Sequence, residues 1–322
     1  MVFAGGGIRG LAYIGALQYL RDVKCVDFGA QRPKLESVAG VSIGALLAML
    51  ICCGYSVPEL ISFGADIKHS DVMIPDPVRL FSGEMSIDNG DTLSAFIKEK
   101  LLRKGFSPDT TFSQLFACTG IKFHVTVSDT TDASVVHITP DSHPHLPVYL
   151  AVQASMSIPL IFPPVKSPDG HLWVDGGLLE NFPIMRFHPR DVLGFNFRWS
   201  MEKQGTTLVT HMLRVMQIIQ LPGDVAQKQL MSEAHRDRIV EIDTGDVTTL
   251  GSAISPESVS METRTHLMAA GSRAMRDKIY LWDDIVGITE KKHMRRELPA
   301  YLSALSTCNP KPVSHDSYIT NL

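Results

Sequence analysis

The spacing of apolar positions changes repeatedly along the chain. Residues 2–4 are a short apolar run that enters a glycine cluster, and residues 11–20 repeat apolar side chains at helical spacing before Arg21 and Asp22. Residues 35–39 read as a second strand, and residues 45–53 as a helix stopped by Gly54 and Pro58. Strand, helix, strand, helix in that order favours a parallel sheet with helices on its faces. Residues 72–89, broken by Pro75, Pro77 and Gly83, read as an irregular surface excursion. Asp91 is placed to cap a helix over 92–103, whose Leu93, Phe96, Ile97 and Leu101 share one side.

A short helix begins over 112–116, and residues 122–128 alternate before the turn Asp129-Thr130-Thr131-Asp132. Residues 135–139 are a strand again, so the pair predicts a hairpin. Residues 149–156 look helical, whereas 158–165, with Pro159, Pro163 and Pro164, cannot be. Residues 171–174 are a strand that delivers Asp175 into a Gly-Gly turn, and 191–197 are another strand. Beyond Ser200 the pattern is mostly helical, with one strand-like piece at 238–242. Residues 212–221, rich in methionine, read first as a core helix and second as an acyl-channel wall or bilayer contact. Residues 291–296 are a basic cluster, read as a solvated face before a headgroup site.

Composition narrows the classes. The 322 residues are 44% apolar and 20% charged, enough to bury a core without staples. A net charge of −4 argues against nucleic acid as a partner and against strong general attraction to anionic membranes. Five cysteines with no C-x-x-C suit neither a disulfide framework nor a zinc site, and point to a reducing, cytoplasmic compartment. The N-terminus lacks the basic region and cleavage site of a signal peptide. Residues 38–55 carry no charge, but Gly40, Ser42 and Gly44 divide them into strand, turn and helix, so no transmembrane span is expected.

Three motifs carry chemistry. Gly5-Gly6-Gly7-Ile8-Arg9-Gly10 lies between a strand and a helix. It fits a dinucleotide fingerprint, with Asp27 as the later acid, and would then mark a nucleotide-binding oxidoreductase. Its backbone N–H groups could equally hold an oxyanion at the helix N-terminus. The plainest reading is a tight turn with no ligand. Gly40-Val41-Ser42-Ile43-Gly44 is G-x-S-x-G between strand and helix, the context of a nucleophile elbow. The dipole of the following helix favours an alkoxide at Ser42. No histidine has a compelling context: His143 and His145 lie in a proline-rich loop, and His188 precedes Pro189. The third motif, Asp175-Gly176-Gly177, ends an apolar strand. Alone, such an aspartate is often only a turn residue.

Together, in this order, the three motifs resemble the patatin-like phospholipase family. The segments from Ala154 to Pro159 and from Asp175 to Pro183 look like the family's aspartate-strand approach and aspartate loop. The likeness covers about residues 1–200. It implies a three-layer α/β/α sandwich with a mostly parallel sheet. It further implies a 1–200 catalytic part and a mostly helical 201–322 part packed on the same domain.

The resemblance also implies a Ser42–Asp175 dyad, with Ser42 the nucleophile and Asp175 the base. The oxyanion hole falls within Gly5, Gly6, Gly7, Ile8, Arg9 and Gly10, centred on Gly6 to Ile8. Gly40 and Gly44 frame the elbow, and Gly176 and Gly177 the aspartate loop. The expected activity is hydrolysis of lipid carboxylic esters through an acyl-enzyme, with no metal or cofactor required. Asp88-Asn89-Gly90-Asp91 lacks EF-hand spacing, so calcium is not expected. The partner is a lipid substrate, met transiently at a membrane or lipid-droplet surface. A non-catalytic lipid-binding homologue is the remaining alternative.

Overall fold

The computed structural model describes residues 1–24, 26–29, 35–198, 208–247 and 260–284. The basic cluster at 291–296 lies outside them. The strands are β1 (Val2–Phe3), β2 (Ser37–Gly40), β3 (Lys122–Asp129), β4 (Ser134–Ile138), β5 (Val165–Lys166), β6 (Leu172–Asp175), β7 (Gly194–Phe197) and β8 (Ile239–Ile242). They form one sheet in the order β5-β6-β3-β2-β1-β7-β8, with β4 beside β3. Strands β3, β2, β1, β7 and β8 run parallel; β4 and β6 join β3 antiparallel at one end, and β5 pairs antiparallel with β6.

The helices are α1 (Leu11–Lys24), α2 (Ile43–Cys52), α3 (Val57–Asp66), α4 (Val78–Phe81), α5 (Asp91–Arg103), α6 (Phe112–Thr119), α7 (Val148–Met156), α8 (Leu208–Leu230), α9 (Glu233–Arg236) and α10 (Met261–Asp277). Alternation along the strands decides the two faces. Phe3, Val38, Phe123 and Phe195 share the larger core with α1, α2, α7 and α10. Val2, Ala4 and Ala39 face the other way, onto Phe182, Ile184, Val192 and Met231. The sheet is thus covered on both faces, thickly by helices on one and by a thinner layer on the other. Helix α2 is buried at nine of its ten positions, and carries no charge, because it lies across the sheet's middle.

β3 acts as a ruler for the site. Val125 is paired with both Gly40 and Ile138, and Val127 with both Val136 and Asp175. A strand has only two edges, so β2 and β6 share the edge opposite β4. They approach each other head to head, β2 ending at the level of Val125 and β6 at Val127. A purely parallel sheet would deliver Ser42 and Asp175 from strands running the same way. Instead the aspartate arrives on an antiparallel strand, because a tight turn over 167–171, closed by the Ser167 N–H on the His171 carbonyl at 2.9 Å, reverses the chain between β5 and β6.

Three local readings are corrected. The cap of α5 is Gly90, left-handed at φ 80, and Asp91 is the first helical residue. The 72–89 excursion is irregular but pinned: Met73, Ser86, Ile87 and Asp88 are buried, and the Asp88 carboxylate accepts the Ile74 N–H at 2.7 Å and the Gly90 N–H at 2.6 Å. Helix α8 is not a core helix, since Leu213 is its only fully buried residue. Among the described residues no helix is long and apolar enough to cross a membrane.

Candidate active site

Ser42 sits where β2 gives way to α2, with φ 54 and ψ −126. A non-glycine residue in that region costs about 1–3 kcal/mol and persists only where its surroundings over-determine it. The turn is tight because two glycines allow it. A Cβ on Gly40 would lie 2.1 Å from the Gly44 carbonyl oxygen, and one on Gly44 2.4 Å from that of Phe3. Ser42 is the residue preceding α2, yet its hydroxyl makes no capping bond to the helix. Ser42 and Asp175 line the same cavity, and the Ser42 side chain favours the ionised form of the Asp175 carboxylate, a nearness that follows from the register on β3.

Asp175 is 7% exposed. Its backbone N–H donates to the Ser157 carbonyl at 2.9 Å, and its side chain accepts the Gly177 N–H at 2.7 Å. Burial pushes its carboxyl from 3.8 up to about 6, against the lowering effect of the nearby Ser42 side chain and of the Gly177 N–H. A carboxylate so raised is a better base than a free aspartate and is still ionised near neutral pH.

The structure does not bring all six residues of the glycine loop to one point. Gly5, Gly6 and Arg9 line a cavity of about 920 Å³ together with Ser42, Asp175 and Gly177. Gly7, Ile8 and Gly10 instead border a small apolar recess with Ile14, Ile43 and Leu46. The Gly5 N–H donates to the Asn181 carbonyl at 3.3 Å and the Arg9 N–H to the Gly6 carbonyl at 3.2 Å. Of the three loop residues on the cavity wall, Gly5 and Arg9 thus have their N–H groups bonded within the protein. The Arg9 guanidinium stacks over the Phe197 ring at 4.5 Å, and Phe197 in turn stacks on Tyr13 at 4.6 Å.

The wall of the cavity is mixed: Ile158, Pro159, Leu178, Phe182 and Phe197 line it together with Arg9, Asn181, Asn196, Lys228 and Arg236. Helix α8 contributes Leu213, Met216, Leu221 and Val225 to the wall. No histidine lines it among the described residues. His143 meets the edge of Trp173. Asp27, the acid a dinucleotide site would use, accepts the Gly29 and Val57 N–H groups at 3.1 and 3.2 Å. Asp129, Asp132 and His171 could offer a metal three ligand atoms within 4.8 Å of one another. They lie at the start of β6, away from Asp175, and His171 Nδ1 is already 2.8 Å from Asp129.

Two residues of the site carry no motif signal of their own. Asn181 ties the aspartate loop to the glycine loop, its carbonyl accepting from Gly5 and its side-chain amide donating to the Gly5 carbonyl at 3.3 Å. Ser155 lies behind the elbow, hydrogen-bonded to the Ser42 backbone. Both fall inside segments that resemble the family, and that likeness is the one pointer to them in the sequence.

A family model described as patatin-like phospholipase matches residues 1–188. A probable lipid hydrolase of Invertebrate iridescent virus 6 is 26% identical over 188 residues, covering 57% of this chain and 61% of that protein. The neuropathy target esterase sws of Drosophila grimshawi is 29% identical over 194 residues, covering 57% of this chain and 11% of that protein. Among solved structures, VipD from Legionella pneumophila superposes with a TM-score of 0.60 at 16% identity, over 88% of this chain and 66% of that one, a likeness of fold.

Proposed function

We propose that this chain, which belongs to the patatin-like phospholipase family, is a lipid acyl hydrolase with Ser42 as nucleophile and Asp175 as general base. The observation that carries the reading is that Ser42, held in a strained elbow, and the buried Asp175 carboxylate line one cavity of about 920 Å³. In the proposed sequence Asp175 takes the Ser42 proton as Oγ attacks the ester carbonyl carbon. The oxyanion of the tetrahedral intermediate is held by the Gly6 N–H. The intermediate collapses, and the alcohol leaves with the proton from Asp175. Water then attacks the acyl-enzyme, giving its proton to Asp175. The fatty acid departs, and the proton returns to Ser42.

The same cavity supports a long acyl chain as the substrate's apolar part. The apolar residues in its wall, and the exposed Ile218 and Ile219 on α8, support a lipid surface as the transient partner. We further propose that the part after residue 200 shares the catalytic domain, since β8 pairs with β7 and α10 packs on α1. The cysteine usage supports a reducing, cytoplasmic setting. The test is labelling with a fluorophosphonate probe followed by hydrolysis of a lipid panel. Covalent labelling confined to Ser42, with release of fatty acid, is the expected result. An unlabelled, folded protein would overturn the reading and leave a lipid-binding homologue.

A further inference from the structure

We infer that the last turn of α7 sets the geometry of the dyad, with Ser155 as a positioning residue for Ser42. The inference rests on the Ser42–Asp175 reading above. Ser155 is fully buried and does not line the cavity. Its hydroxyl accepts the Ser42 backbone N–H at 2.9 Å and donates to the Thr126 carbonyl of β3 at 2.7 Å. A hydroxyl can accept and donate through one small atom, which no aliphatic side chain can do.

The bond falls where it is most needed. Ser42 holds a strained backbone, and its N–H precedes a helix that offers it no acceptor. Ser155 supplies that acceptor and fixes the peptide to β3, the strand whose register sets the position of Asp175. Two residues further on, the Ser157 carbonyl accepts the Asp175 N–H at 2.9 Å. The Thr126 carbonyl that Ser155 bonds also abuts the aspartate loop, since a Cβ on Gly176 would lie 2.2 Å from its oxygen. One turn of α7 therefore grips the backbone of both reacting residues, 133 positions apart in the chain. Ser155 acts through Ser42 and touches no substrate.

The test compares three variants of the full chain by kcat, KM, Tm and the rate of fluorophosphonate labelling. Ser155→Ala is expected to fold, to keep KM within about twofold, and to lose kcat by about 10²-fold, the loss that a misplacement of about 1 Å brings. Labelling of Ser42 should slow by a similar factor. Thr119 supplies the control, because its buried hydroxyl also donates, to the Leu115 carbonyl at 2.8 Å, and accepts, from the Ile121 N–H at 3.2 Å, far from the dyad. Thr119→Ala should lower Tm comparably with kcat unchanged. Ser155→Thr keeps the hydroxyl and should recover most of kcat. A folded Ser155→Ala variant with wild-type kcat overturns the inference, as does a folded Ser155→Thr variant as slow as the alanine one. Failure of the wild-type protein to label at Ser42 is a different outcome and removes the dyad reading itself.

Discussion

An unassisted serine hydroxyl is a weak nucleophile at neutral pH, so the proposed reactivity of Ser42 requires a base, the role proposed for Asp175. Ser42→Ala is expected to abolish probe labelling and ester hydrolysis with the fold intact, as judged by circular dichroism. Asp175→Asn should cost about 10²–10⁴-fold in kcat, the range for a lost general base. Alanine substitution of each of the twelve histidines should leave activity near wild type; a folded histidine variant as inactive as Ser42→Ala would restore a triad. The raised carboxyl of Asp175 gives two further readouts. The proposed mechanism requires the ionised form, so kcat/KM should rise with pH through about 6, with a slope of one proton. Stability runs the opposite way. A carboxyl whose folded value is raised contributes stability below its unfolded value of 3.8, and that contribution is lost as pH rises through about 6. Asp175→Asn removes the ionisation, so its Tm should exceed wild type at pH 7.5 and converge with it near pH 4. A carboxyl moved from 3.8 to about 6 sets a ceiling of about 3 kcal/mol on that gain.

At the scale of elements, α2 and α8 do opposite jobs. Helix α2 is locked against β1 and β2, so Gly44→Ala should destabilise the protein by about 1–3 kcal/mol, the usual cost of overpacking, and slow labelling as the elbow is pushed out of place. Thermal unfolding and labelling rate together check this. Helix α8 turns Leu213 and Met216 to the cavity while Ile218 is 49% and Ile219 68% exposed. Large apolar side chains left in water on a helix beside a substrate cavity suit a lipid surface. The double variant Ile218→Glu, Ile219→Glu is expected to lose hydrolysis of lipid in vesicles while a soluble short-chain ester is still cleaved at the wild-type rate. Equal activity on both substrates in the variant would show that α8 does not meet the surface. The sequence pattern of 212–221 announced an apolar helix but not which way it faced. Its apolar residues recur too densely to mark one side, and the side that is buried depends on what lies opposite.

For the whole molecule, the two ends of the described chain hold each other. Helices α1 and α10 cross so closely that a Cβ on Gly15 would lie 1.9 Å from the Met268 carbonyl oxygen, and one on Gly271 1.7 Å from that of Ala12. Backbone cannot yield as a side-chain tip can, so Gly271→Val should force the helices apart and lower Tm cooperatively, by several degrees at least, in a calorimetric scan. Much of this architecture was legible without coordinates. Apolar periodicity announced β1, α1, β2 and α2 in order, the β3–β4 hairpin and the strand that ends on Asp175. Local steric rules then placed glycines around Ser42 and Asp175, and proline excluded a helix over 158–165. Those features depend on a few neighbouring residues, which is why the sequence alone determines them. The tertiary structure decided the rest: that β6 meets β2 head to head along one edge of β3, that Gly6 faces the cavity while Gly7 and Ile8 face a separate recess, and that Ser155 holds the Ser42 peptide. Each depends on hydrogen bonds and packing between segments that lie far apart in the chain. Periodicity reports which face of an element is apolar, and only the folded register reports what that face meets.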